Sequence, residues 1–350
     1  MTDAAAVDTP AAVVDLARLE RNLARWQEYA DRVGLASRPH VKTHKSVEIA
    51  RRQLALGAVG LTCQKLGEAE TMVGAGCEDV LIPYNLVGAA KLERLGALLA
   101  RAAVTVGVDD ERLLRGLDDA ARRTSRALGV LVDCDTGLGR TGVTSPEAAV
   151  ELAASVARTS SLRFDGFVTY PAPPEAPSFL ARAVELAEAR GLAVACVSAG
   201  GTPGMWESGR LRPTVTEYRV GTYAFHDRKT VAAGSATLDD VALTIHATVV
   251  SRPAPDRAVL DAGSKSLGAE AAFEGSYGLV LEAPGSPIVR ADEEHAYVAL
   301  ADGDELELGD RVRVVPNHAC VAVNLFDELV VLGADGGGER WPVDARGRSR

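Results

Sequence analysis

Eight short apolar runs recur between about residue 16 and residue 240, at 37–43, 58–63, 79–83, 103–108, 127–134, 163–169, 193–198 and 214–221. Helix-length segments rich in Ala, Leu, Glu and Arg lie between them, among them Ser46–Leu56, Ala89–Ala100, Asp109–Ala121, Pro146–Ala157 and Pro177–Arg190. Eight βα units in series predict a parallel (β/α)8 barrel of the TIM type, because an open doubly wound sheet more often stops at five to seven strands. After residue 240 the texture changes. Leu243–Ser251, Ala258–Asp261, Tyr277–Glu282, Ala296–Leu300, Asp310–Val315 and Glu328–Leu332 are β-rich and separated by Gly, Pro and Asp turns, which predicts an antiparallel β domain. The expected division is a barrel over 16–240 and a β domain over 241–345, joined by an N-terminal strand within 8–15. Arg346–Arg350 reads as a loose basic tail.

A chain of 350 residues can bury a large core. Its net charge of −10 argues against nucleic acid or an anionic membrane as the main partner. No uninterrupted apolar run reaches spanning length. Met1–Pro10 carries two aspartates, no basic residue and no apolar core, unlike a signal peptide. The five cysteines, at 63, 77, 134, 196 and 320, are odd in number and lack C-x-x-C spacing. Reduced thiols in a cytoplasmic protein are expected.

The chemistry concentrates at the ends of the expected barrel strands. In Arg38–Lys45, strand alternation puts Arg38, His40, Lys42 and His44 on one face, with Val41 and Thr43 on the other. A lysine facing a closed pocket loses solvation, deprotonates more easily and can attack a carbonyl. Lys42 therefore reads as a Schiff-base lysine, with His40 beside it; the plainer alternative is a solvated basic strand end. Barrel enzymes keep phosphate sites after strands seven and eight. Here those strands lead into Ser198-Ala199-Gly200-Gly201-Thr202 and Arg219-Val220-Gly221-Thr222-Tyr223, where glycines admit close backbone approach and hydroxyls add donors. Lysine and phosphate loops together call for an aldehyde bearing a phosphate, pyridoxal 5′-phosphate. Gln64, Arg140 and Tyr170 end strands two, five and six and are candidate contacts to cofactor or substrate. Each is also explicable as a structural residue.

In the β domain, Pro316-Asn317-His318-Ala319-Cys320 places an imidazole and a thiol two apart, pointing the same way from an extended segment. Two ligands of borderline softness suit Zn²⁺ and leave positions for substrate and water. A buried cysteine beside a turn histidine is the alternative. Glu294-His295, in a turn before a strand, is a second exposed acid–imidazole pair, and His226-Asp227 reads as another ligand, a base or a helix cap.

These residues together resemble the D-threonine aldolase and D-serine dehydratase family, the metal-activated branch of the alanine-racemase-like, fold type III pyridoxal-phosphate enzymes. The resemblance runs through most of the chain and is most specific in "TPAAVVDLARLERN", "RPHVKTHKS" and "PNHACVAVNLFD". It implies Lys42 as the Schiff-base lysine, phosphate binding by Gly200–Thr202 and Gly221–Tyr223, and a divalent metal, zinc or manganese, on His318 and Cys320. It also implies a homodimer acting on a small D-amino acid. The Tyr170-Pro171-Ala172-Pro173-Pro174 loop departs from the Tyr, Gly-His pattern of many relatives, at a place expected to touch substrate. Arg219-Val220-Gly221 is similar to alanine racemases, where an arginine touches the pyridine nitrogen. Asp261–Lys265 lacks the tyrosine that racemases use, which argues against two-base racemisation. The expected reaction is retro-aldol cleavage of a D-β-hydroxy-α-amino acid to glycine and an aldehyde. Dehydration to a keto acid and ammonia is the alternative, ahead of a racemase or a non-catalytic cofactor carrier.

Overall fold

The structure is a computed structural model and describes residues 7–124, 126–268, 272–334 and 336–350. By contacts the chain forms two compact units. One comprises Met1–Arg25, Thr43–Glu48 and Thr222–Arg346; the other comprises Trp26–Lys42, Ile49–Gly221 and Gly347–Arg350. The sequence reading put its division at 240/241, whereas the contacts divide the chain at Gly221/Thr222 and return two short early segments to the C-terminal unit.

Strand β1 (Ala11–Asp15) belongs to the C-terminal unit, and helix α1 (Leu16–Val33) follows it. The barrel unit holds eight parallel strands: β2 (Ala36–Ser37), β3 (Leu61–Thr62), β4 (Asp79–Ile82), β5 (Ala103–Val108), β6 (Leu128–Cys134), β7 (Leu162–Thr169), β8 (Cys196–Gly200) and β9 (Glu217–Arg219). Their order is β2-β9-β8-β7-β6-β5-β4-β3, and a parallel bridge between His40 and Thr62 closes the circle. Inside, Leu81, Leu131 and Val168 pack together, with Cys196 against them. Helices α2 (Val47–Ala55), α3 (Leu66–Gly74), α4 (Ala89–Leu99), α5 (Leu114–Ala121), α6 (Pro146–Ala157) and α7 (Ala176–Ala189) alternate with the strands.

Local chemistry explains why α6 begins where the sequence predicts. Ser145 is extended and its hydroxyl accepts the Ala148 N–H, while Pro146 occupies the first turn, where its missing N–H costs nothing. Between β8 and β9 the expected α-helix is replaced by a 3-10 helix over Met205–Leu211. Gly166 in β7 has φ +140°, and a Cβ there would overlap the Cys196 carbonyl oxygen. Only glycine allows that approach, and the β6–β7 register shifts beside it.

The C-terminal unit continues with α8 (Arg228–Ala232), β10 (Leu243–Ala254), β11 (Arg257–Leu260), α9 (Ser264–Leu267), β12 (Gly278–Val280), β13 (Ile288–Ala291), β14 (Ala296–Ala299), β15 (Arg311–Pro316), α10 (Ala319–Val323), β16 (Glu328–Leu332) and β17 (Gly338–Pro342). The nine strands form one sheet along β13-β14-β11-β10-β1-β16-β17, with β15 pairing β10 and β12 pairing β15. All pairs are antiparallel except β1 with β16. Val7, Ala11, Val13 and Val330 make an apolar cluster that joins β1 to β16.

Two expectations are corrected here. The first barrel strand is shorter than 37–43. Pro39 donates no hydrogen bond, His40 makes the last ladder contact, and residues 41–44 turn. The turn is held by imidazoles: Lys42 N–H points at His40 Nδ1 (3.4 Å) and Ser46 N–H at His44 Nδ1 (3.1 Å). The tail is also not loose. Arg350 O accepts the Gly67 N–H at 2.9 Å and an Arg94 N–H at 3.1 Å, and Arg346 pairs with Asp327 at 2.5 Å.

Among the described residues no helix is long and apolar enough to cross a membrane. All five cysteines are free thiols.

Candidate active site

In the barrel unit, the turn after β2 ends at Lys42, whose Nζ lies 5.7 Å from the Tyr170 ring centroid. Tyr170 follows β7 and is 39% exposed. The Arg140 guanidinium, from the loop after β6, lies 5.4 Å from the same ring. One aromatic ring thus has two cationic side chains within about 6 Å of its centre, a distance at which its π-electrons attract positive charge. That loop is pinned by Asp135, whose carboxylate accepts the N–H groups of Gly137, Leu138 and Gly139. His40 Nε2 sits 3.1 Å from Gln64 Oε1, so Gln64 orients the imidazole that in turn meets the Lys42 backbone.

The alternation argument for Arg38–Lys45 fails beyond His40, because the backbone turns there. His44 is wholly buried. Arg38 pairs instead with Glu217 and Asp79, each at 2.6 Å.

After β8, Gly201 takes φ +130°. A Cβ at Gly200 would meet the Arg219 carbonyl at 2.6 Å, so both positions require glycine. The Gly201 N–H donates to Arg219 O, and the Gly221 N–H points at Thr202 Oγ1 (3.3 Å). Ser198 does not face this loop: its hydroxyl is fully buried between Arg219 and Glu217. Arg219 is 6% exposed; its Nε donates to Ser198 Oγ and its Nη2 to the Thr169 carbonyl. Burial lowers the Arg219 pKa, and the neighbouring Glu217 and Asp133 oppose that fall.

In the C-terminal unit, His318 caps α10 and Cys320 lies on its first turn, so the pair spans a cap and a helix rather than an extended segment. Cys320 Sγ is 3.1 Å from Thr43 Oγ1 and 3.8 Å from Thr222 Oγ1. Tyr223 is buried as a core residue. His318 Nδ1 is 3.0 Å from Asp227 Oδ2, which also accepts the Ala319 N–H at 2.9 Å. Burial alone would depress the His318 pKa, but the hydrogen bond to Asp227 and the neighbouring Cys320 outweigh it and push it up to about 10. Burial would raise the Asp227 pKa, yet His318 and the Ala319 and Thr230 amides hold it below the ordinary value.

Asp227 also caps α8 through the Thr230 N–H. The helix-cap reading thus holds for Asp227, while its contact with His318, 91 positions away, was not legible in the sequence. His226 is buried, and burial draws its pKa down to about 4. Glu294 pairs with Lys265 at 2.6 Å in an exposed bridge. Among the described residues no three His, Cys, Asp or Glu side chains cluster as a metal set, so His318 and Cys320 stand as a pair.

The geometry agrees with what comparison finds. The family model "Alanine racemase, N-terminal domain" matches residues 14–229, and a serine dehydratase domain model matches residues 242–332. The D-threonine aldolase of an Arthrobacter species is 37% identical, covering 99% of this chain and 94% of its own. The crystal structure of D-threonine aldolase from Filomicrobium marinum has a TM-score of 0.91 at 35% identity, covering 100% of this chain and 98% of that one. D-threo-3-hydroxyaspartate dehydratase from Delftia sp. HT23 has a TM-score of 0.88 at 32% identity, covering 98% and 99%. A cysteine-to-alanine variant of D-threo-3-hydroxyaspartate dehydratase, in the metal-free form, gives the same figures. The chain therefore belongs to the D-threonine aldolase and D-serine dehydratase family of alanine-racemase-like, pyridoxal-phosphate-dependent lyases.

Proposed function

We propose that this chain cleaves D-β-hydroxy-α-amino acids into glycine and an aldehyde, with pyridoxal phosphate on Lys42 and a divalent cation, zinc or manganese, on His318 and Cys320. The observation that carries the reading is the Asp227–His318 hydrogen bond with Cys320 two residues on. A carboxylate behind an imidazole is the usual support of a metal-binding histidine, because it fixes the tautomer and raises ligand basicity.

The residues present fit both groups. For the cation, imidazole and thiol form a donor set suited to zinc, with Asp227 already in place behind the imidazole. For the cofactor, the buried Arg219 guanidinium is a donor group suited to an acceptor such as a pyridine nitrogen. The Gly200–Gly201 turn brings backbone close in the way a phosphate requires. When bound, the pyridoxal ring supplies an electron sink and the cation a Lewis acid toward a substrate hydroxyl.

The remaining work falls to side chains. Lys42 Nζ supplies the amine, and once displaced it is the group that moves a proton at the substrate α-carbon. In cleavage it returns a proton there; in dehydration it removes one. His40, held by Gln64, orders the backbone that carries Lys42. Tyr170 offers its ring to Lys42 and Arg140, and Arg140 is the cation placed for a substrate carboxylate or the cofactor's phenolate. Arg219 would hold the ring nitrogen as a donor that keeps its own proton.

Dehydration uses the same residues, and the likeness to a dehydratase of this architecture keeps it as the second reading. Purified protein with pyridoxal phosphate, zinc or manganese, and D-threonine or D-serine separates the two. Glycine and acetaldehyde from D-threonine support cleavage, while pyruvate and ammonia from D-serine support dehydration. Borohydride followed by peptide mapping should mark Lys42; a different lysine, or none, overturns the assignment. The same reading includes a cytoplasmic homodimer, supported by the free thiols and the family resemblance, and sedimentation tests the dimer.

A further inference from the structure

We infer that Glu217 and Ser198 are positioning residues that hold the Arg219 guanidinium in the one orientation in which it serves the cofactor's ring nitrogen. The inference rests on the pyridoxal-phosphate reading above.

Glu217 and Arg219 stand two apart on β9, so their side chains leave the same face of the strand. Between them lies Ser198 of β8, fully buried. A serine hydroxyl has one hydrogen. Here it goes to Glu217 Oε1 at 2.7 Å, because a carboxylate only accepts. The hydroxyl oxygen is thereby turned toward Arg219 and accepts its Nε–H at 2.9 Å. With Nη2 on the Thr169 carbonyl, the plane of the guanidinium is fixed at two of its three nitrogens. Glu217 is itself held on its far side, where Oε2 accepts from Arg38 Nε at 2.6 Å and Arg38 Nη1 donates to Asp79 Oδ1 at 2.6 Å. The chain of donors thus has one direction, and the charge on Glu217 sets it. An amide in place of that carboxylate can donate to Ser198, which would turn the hydroxyl hydrogen toward Arg219 Nε and break the contact. The proximity of Glu217 also offsets the loss of hydration that burial imposes on Arg219.

A merely structural role for this row would be to tie the strands together at the Arg38–Asp79 end. Three variants separate the roles: Ser198→Ala, Glu217→Gln and Asp79→Asn. The readouts are pyridoxal-phosphate affinity, measured by titrating the stripped protein, and the position and pH response of the bound cofactor's visible band. Ser198→Ala and Glu217→Gln should weaken cofactor binding about tenfold and displace the band. Asp79→Asn should lower the melting temperature and leave affinity and band as in the parent. Should Glu217→Gln fail to fold, Ser198→Ala alone decides, since it cuts the link and spares the Glu217–Arg38 pair. Folded variants with the parent's affinity and band overturn the inference, as does an Asp79→Asn band displaced equally far. A parent that takes up no pyridoxal phosphate overturns this inference together with the reading beneath it. A parent that does, with Ser198→Ala and Glu217→Gln indistinguishable from it, overturns this inference alone.

Discussion

His318 Nδ1 and Asp227 Oδ2 are 3.0 Å apart, joining the cap of one short helix to the cap of another across 91 positions of sequence. The contact engages one nitrogen of the imidazole, and under the proposed reading Nε2 would bind the cation together with Cys320. Replacing Asp227 by Asn should lower zinc affinity by about 10–100-fold, the range typical of carboxylates behind a metal-binding histidine. Competition against a chromogenic chelator measures this, and unchanged affinity would refute the orienting role.

Removing a donor should do more than loosening one. Cys320→Ala and His318→Ala leave a single protein ligand, and activity at a fixed, low cation concentration should fall at least about 100-fold. The parent treated with a chelator should lose activity likewise and regain it when zinc or manganese is restored. Turnover that a chelator leaves untouched would remove the cation from the mechanism.

Acid should destabilise the C-terminal unit in a defined window. His226 is 3% exposed, and its pKa of about 4 lies below the ordinary 6.5 because burial disfavours the imidazolium more than Asp240 and Asp227 favour it. Between pH 6.5 and 4 the unfolded chain takes up a proton that the fold refuses. The His226 contribution therefore falls as pH drops through that window, by about 3 kcal/mol at its lower end, and is constant above it. Denaturant titrations of the parent and of His226→Gln from pH 7.5 to pH 4 should converge as the parent loses its advantage (the pH limits are about those of the two ionisation ranges). Asp227, held below its ordinary 3.8, adds a separate loss only at still lower pH.

Gly166→Ala should be among the most damaging small changes in the barrel. Its φ of +140° is open only to glycine, and the added methyl would press on the Cys196 carbonyl. A cost above about 3 kcal/mol is expected, read as a lowered denaturation midpoint. By contrast Gly139→Ala meets no atom within 4 Å and suffers only its φ of +68°, a smaller penalty.

The barrel and the β-rich second unit were legible in the chain because each rests on local order. Apolar periodicity specifies strands and helices, and Ser145-Pro146 marks the start of α6 to the residue. What the sequence could not show was set by distant backbone. Alternation placed Arg38 beside Lys42, yet the chain turns after His40 and commits Arg38 to Glu217 and Asp79. Ser198 read as a phosphate-loop donor, yet the strand beside it turned its hydroxyl to Glu217 and Arg219. His226-Asp227 read as ligand, base or helix cap, and the fold made Asp227 both the cap of α8 and the partner of His318. A side chain's type limits which hydrogen bonds it can make. Which of them forms depends on what the folded chain brings within about 3 Å, and no local pattern encodes that.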